Sequence, residues 1–202
     1  MKPLFSTSYL PPVAYMAALS RCSEAQIEAK ETFPKQTYRN RAEIMTAGGV
    51  RVLSVPTIRG NHTPTDEVRI DYKERWNVIH LRTIEAAYSA SPYYLYYKDD
   101  LAEAILRPHE RLIDLNMELL QWMMRKLKIE CKIELTADWI PPHNDADDMR
   151  NRFSPKVPHP TDGHIPYYQV FADRIPFTPN LSALDLLMNL GPEASEYLKK
   201  TT

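Results

Sequence analysis

Only five of the 202 residues are glycine. That scarcity leaves no GxGxxG and no P-loop word, and so excludes the Gly-rich phosphate cradles of the common nucleotide-binding folds. Cysteine is scarcer still: Cys22 and Cys131 lie far apart with no CxxC or zinc spacing, as expected of reduced thiols in a cytoplasmic protein. Net charge is also missing. At −1, the chain has no global field to draw it onto nucleic acid or anionic lipid, so any anion site must be a local cluster. Long apolar runs are absent too: the N-terminal "MKPLFSTSYLPPVAYMAALS" is broken by Ser, Thr and a Pro pair, which argues against a signal peptide or membrane span. No HExxH, EF-hand loop, GxSxG or Ser-His-Asp order occurs, and no motif names a metal or cofactor, so the cofactor stays open.

What remains is 44% hydrophobic residues, enough to bury a core, and 17 prolines. Leu4 to Thr7 and "AQIEA" (Ala25–Ala29) read as short strands, separated by a Pro-started helix from about Pro12 to Arg21. Tyr38 to Met45 reads as the first strand of a hairpin that turns at Thr46-Ala47-Gly48-Gly49 and ends at Pro56. In that register Tyr38, Asn40, Ala42 and Ile44 share one face, and Arg39, Arg41 and Glu43 the other. "RGNHTPTDE" is a loop and "VRIDY" a strand. Arg75 to Ser89 has clear helical spacing. A helix through "YYLYYKDDLAEAIL" ends before Pro108. Glu110 to Lys128 is a buried helix whose polar residues Asp114, Glu118, Gln121, Arg125 and Lys128 form one narrow stripe. "KIEL" is a strand, and residues 137–166, with six prolines, form a loop excursion suited to a lid. Ser182 caps a last helix with Asp185 at N3, and Gly191-Pro192 stops it. The expected fold is a single α/β domain over 1–202: a mixed sheet including the hairpin, packed by helices.

Five clusters carry chemistry. Gln36, Arg39, Asn40 and Arg41, with Lys35, suit an anion, because the guanidinium fork matches phosphate or carboxylate and the amides orient a polar group. A solvated strand face with one odd asparagine is the alternative. Trp76 and His80 share an apolar helix face, where the histidine is either an acid–base group or a hydrogen-bonded core residue. Tyr88, Tyr94 and Tyr168, with Tyr93, Tyr96, Tyr97 and Tyr167, suit the wall of a sugar or base pocket as well as a core edge. His143, Asp145, Asp147, Asp148, His159, Asp162 and His164 match no metal motif and read as a solvated loop, with a divalent-ion site as the alternative. Asp185 and Asn189, four apart, read as a capping box with a helix-side hydrogen bond.

Taken in order, "YLPPVAY", "QTYRNR", "VPT", Trp76 with His80, "YYQVF" and "PNLSALDLLMNLGPEA" resemble the WbqC-like protein family. The resemblance implies a cytoplasmic bacterial group transferase in surface-polysaccharide (O-antigen-like) synthesis, passing an aminoacyl group such as glycine to a sugar precursor. It places the Arg/Asn signature on Arg39, Asn40 and Arg41 with Gln36 before it, and the helical Trp and His on Trp76 and His80. The C-terminal Phe-x-Pro and Ser-x-x-Asp elements fall on Phe177, Pro179, Ser182 and Asp185. One position departs: many members carry a His-Gln-Pro word ahead of "YLP", and Phe5 stands at its His here. The expected ligand is an anionic small molecule, a nucleotide-sugar or sugar phosphate. His80 is then the acid–base residue, Asp185 second to it, and Trp76 and the tyrosines the pocket wall. Ligand binding without catalysis, or assembly with a protein partner, are the alternatives.

Overall fold

The computed structural model of the protein describes residues 2–143, 145–156 and 165–201. In chain order the elements are β1 (Leu4–Ser6), α1 (Val13–Leu19), β2 (Glu24–Glu28), β3 (Arg41–Thr46), β4 (Gly49–Ser54), β5 (Thr57–Ile58), β6 (Arg69–Ile70), α2 (Trp76–Tyr88), α3 (Tyr94–Leu106), α4 (Leu112–Leu127), β7 (Lys132–Leu135), α5 (Ala183–Leu190) and α6 (Ala194–Lys200). The class is α/β, as the alternation of strands and helices implies. The strands form three small sheets rather than one mixed sheet. β1, β2 and β7 are parallel in that order, while the β3–β4 hairpin and the β5–β6 pair stand apart from them. β5 and β6 are two residues each, so "VRIDY" supplies a shorter strand than its alternation suggests.

The parallel sheet needs crossovers, and α1 provides the first, between β1 and β2. Beyond β1, the Pro-rich segment adds an edge of its own: Leu4 N–H donates to Asp147 O at 2.8 Å and Met149 N–H to Leu4 O at 2.8 Å. No helix or strand occurs among the described residues between β7 and α5. Residues 157–164 of the expected excursion, with His159, Asp162 and His164, lie outside the described residues.

Helix α4 is central because its sequence is apolar nearly all round. Leu112, Leu115, Leu119, Leu120, Met123 and Leu127 are buried, and Asp114, Gln121, Arg125 and Lys128 are exposed along the expected stripe. The same hydrophobic cluster takes in Phe5, Tyr9, Met16, Ile27, Ile44, Ile84, Leu184 and Leu187, so sheet, hairpin and helices share one core. Gly191 ends α5 at φ +54°, where a Cβ would lie 2.4 Å from the Tyr93 ring, so only glycine fits that stop.

The hairpin corrects one expectation. β3 begins at Arg41, and Tyr38–Asn40 form a turn, so strict alternation does not reach back past position 41. Ala42 and Ile44 still face the core. Asn40 leaves the apolar row and closes the hairpin base instead, its Nδ2 donating to Val55 O at 2.9 Å while Val55 N–H donates to Asn40 O. Arg39, expected on the polar face, is buried.

Candidate functional site

The carboxyl ends of parallel strands are where open α/β sheets gather polar groups. Here the loop after β1, "Ser6-Thr7-Ser8", is buried there with Glu28 at the end of β2 and Thr136 after β7. Two guanidiniums reach this end. Arg39 pairs with Glu31 (Nη2 to Oε1, 2.6 Å) and donates to Ser6 Oγ at 2.5 Å. Arg150, from the Pro-rich segment, grips Asp148 through Nε at 2.9 Å and Nη2 at 2.5 Å, and its Nη1 meets Glu28 Oε2 at 3.3 Å. The guanidinium holds the Asp148 carboxyl down to about 2, well below the usual carboxylate range. Asn116 on α4 ties the floor together, donating to Thr7 Oγ1 and Arg39 O. Phe5 stacks on Phe153 with ring centroids 6.0 Å apart and meets Tyr15 edge-on at 5.0 Å. Between these side chains is a void of only about 10 Å³, room for a water at most. This end of the sheet is a packed ionic hub, and Arg39 belongs to it.

The hairpin meets α2 around His80. The Tyr9 hydroxyl lies 2.9 Å from His80 Nδ1, and the ring also bonds the Ser54 backbone carbonyl. A neutral imidazole has one N–H, so the direction of the Tyr9–His80 hydrogen bond follows the tautomer. Burial disfavours the cation and holds His80 down to about 4 despite that carbonyl. Trp76 packs edge-on against the ring at 5.2 Å. Arg41 pairs with Ser54 across the hairpin. Arg41 Nε and Trp76 Nε1 are both buried without an acceptor among the described residues, as is Trp122 Nε1 elsewhere on α4.

Asp185 forms a third polar centre. Its fully buried carboxylate accepts from Tyr88 Oη (2.9 Å), Tyr167 Oη (2.6 Å) and Gln169 Nε2 (3.0 Å). Burial raises its pKa, and these neutral donors offset only part of that. The expected capping box is thus half right: Ser182 Oγ accepts from Leu184 N–H, but the Asp185 carboxylate faces inward to tertiary partners. Tyr167 and Gln169 were legible only as part of an aromatic word. Gln169 also exchanges two hydrogen bonds with Thr178, closing the 169–178 loop.

Residues 7–157, more than half of the chain, match the WbqC-like protein family. The chain belongs to that family. It is also 26% identical to the uncharacterized protein Rv1507c of Mycobacterium tuberculosis (strain ATCC 25618 / H37Rv), over 97% of this chain and 96% of that protein. No solved structure matches it. The WbqC-like match takes in the hairpin, His80 and the ionic hub apart from Phe5 and Ser6, but stops before Tyr167, Gln169 and Asp185, which fall within the span shared with the mycobacterial protein.

The other candidates are scattered over this WbqC-like fold. Tyr88 is buried on Asp185, Tyr94 borders a groove of about 210 Å³ between α2 and α3, and Tyr168 is 62% exposed. They do not line a common cavity among the described pockets. Gln36 is exposed at φ +58°, beside Lys35. Lys35 borders an open cleft of about 430 Å³ between the Thr32–Lys35 and Thr57–His62 segments. Both cysteines are free, and burial pushes the Cys131 thiol up to about 11, far from a reactive thiolate. No group of three or more His, Cys, Asp or Glu suited to a metal occurs among the described residues, and no described helix is long and apolar enough to cross a membrane.

Proposed function

We propose that this WbqC-like protein binds an anionic sugar precursor, a nucleotide-sugar or sugar phosphate, where the hairpin meets α2, and passes it an aminoacyl group such as glycine in cytoplasmic surface-polysaccharide synthesis. An amine or hydroxyl of the sugar attacks the carbonyl of an activated aminoacyl ester, and the ester's alcohol leaves with the proton that the attacking group gives up. The observation that carries the reading is the orphaned donor Trp76 Nε1 beside the Tyr9–His80 pair, with a second orphaned donor, Arg41 Nε, on the strand that pairs with Ser54. A buried N–H without an acceptor costs on the order of 1–3 kcal/mol, and a ligand oxygen is the acceptor that would remove that cost. His80 is the base in this reading. Burial keeps it neutral at cytoplasmic pH, so it holds a lone pair, and a bound anion that raises its pKa from about 4 would let it take the proton of an attacking amine or hydroxyl once the Tyr9 hydroxyl turns aside. Asp185 acts at a distance by holding Tyr88 of α2 against α5. Family membership supports the biosynthetic setting.

A second reading, binding without turnover, is favoured by one observation: His80 Nδ1 is already engaged by the Tyr9 hydroxyl inside the protein. A thermal-shift screen separates the outcomes. Nucleotide-sugars, sugar phosphates, amino acids and divalent ions are tested on wild type and Arg41→Ala, since a ligand that binds the native state raises Tm. A shift present in wild type and lost in the variant supports the site; no shift with any compound overturns it. If a ligand is found, His80→Gln then distinguishes the readings: lost turnover with retained binding is the transferase result.

A further inference from the structure

We infer that the cleft between the Thr32–Lys35 and Thr57–His62 segments is a phosphate-ester subsite, separate from the hairpin–α2 junction. Its lining is Thr32, Phe33, Lys35, Thr57, Arg59, Gly60, Asn61 and His62, so three basic side chains face one open space of about 430 Å³ and no carboxylate lines it. In a chain of net charge −1 that is a local excess. Among the described residues none of Lys35, Arg59 and His62 takes part in an ion pair, in contrast to Arg39 and Arg150 a short way along the fold.

The cleft is built rather than incidental. Arg59 lies over the Phe33 ring, its Cζ 4.9 Å from the centroid, and the buried ring sets the plane of the guanidinium fork. Phe33 N–H donates to Thr63 O at 3.0 Å and Thr65 N–H to Glu31 O at 2.9 Å, which fixes the two walls against each other. Thr63 Oγ1 donates to Gly60 O at 3.2 Å and shapes the turn at the mouth. Lys156 donates to Lys35 O at 3.2 Å and brings another cation to the rim. A planar fork, a point charge and an imidazole around threonine hydroxyls and the Asn61 amide are a donor set for a phosphoryl group on a hydroxyl-rich body. The volume accommodates a hexose phosphate.

Isothermal titration calorimetry on the full chain tests this, with glucose 1-phosphate, inorganic phosphate and glucose as probes. Expected are binding of glucose 1-phosphate that weakens at high salt, weaker binding of inorganic phosphate and none of glucose. Lys35→Ala and Arg59→Ala each weaken glucose 1-phosphate about ten-fold or more, the loss of one charge-assisted hydrogen bond, and Lys199→Ala, at an exposed lysine outside the cleft, leaves it unchanged. Lys35 is exposed, so its variant carries the test even if Arg59→Ala disturbs Phe33. No binding of either phosphate overturns the subsite. Binding that survives both cleft variants also overturns it; if Arg41→Ala alone abolishes that binding, the phosphate sits at the hairpin–α2 junction and the proposed function stands without the cleft.

Discussion

Two groups of basic side chains lie close together along one stretch of this fold, and they do opposite things. Arg39 and Arg150 are buried, matched to Glu31, Glu28 and Asp148, and leave a void of about 10 Å³. Lys35 and Arg59 border a cleft of about 430 Å³ and pair with no carboxylate among the described residues. The contrast teaches that residue type alone does not mark a recognition site. A buried guanidinium that already has its carboxylates is a bracket between segments, here between β1, the turn before β3 and the Pro-rich segment. An open one has hydrogen-bonding capacity left for a ligand.

The comparison breaks most visibly at the closed end. Arg150→Ala takes the guanidinium from the Asp148 carboxylate and from buried Glu28, which keeps three other donors, and breaking a buried pair in this way costs about 3–5 kcal/mol, read as a drop in the urea midpoint. A loss below about 1 kcal/mol would mean that the hub is as solvent-coupled as the cleft. Somewhat smaller is the acid response of the other buried base, His80. Its pKa is lowered from 6.5 to about 4 by burial, so the unfolded chain takes up a proton before the folded one does. The associated stability is complete above the unfolded pKa of 6.5 and is lost as pH falls from there through about 4, up to roughly 3 kcal/mol. Urea midpoints across that range should fall in wild type and stay flatter in His80→Gln; parallel curves would reassign the acid sensitivity to another group. The smallest effect belongs to the open end. Lys35→Ala should shift stability by no more than about 0.5 kcal/mol, the usual range for a surface site, so any ligand effect of that change is separable from folding.

How much of this was legible beforehand differs by element. Helix α4 and its polar stripe follow from spacing, because a 3.6-residue period in fifteen or more positions overdetermines the buried face. The Ser182 cap was equally local. The hairpin was legible from Arg41 onward but not before, because a three-residue turn interrupts the alternation and carries Arg39 inward. Tyr88 meets Asp185 across 97 positions and Arg150 meets Glu28 across 122, separations at which no periodicity operates. Arg59 and His62 sat in a stretch that reads only as a loop.

The sequence by itself determined the α/β class, the buried central helix, the two ends of α5 and the family, since each rests on short-range pattern or on ordered words along the chain. Tertiary structure alone decided which of the charged residues are spent and which are free. That choice depends on desolvation and on partners brought from distant segments, and neither quantity is written in the spacing of one stretch.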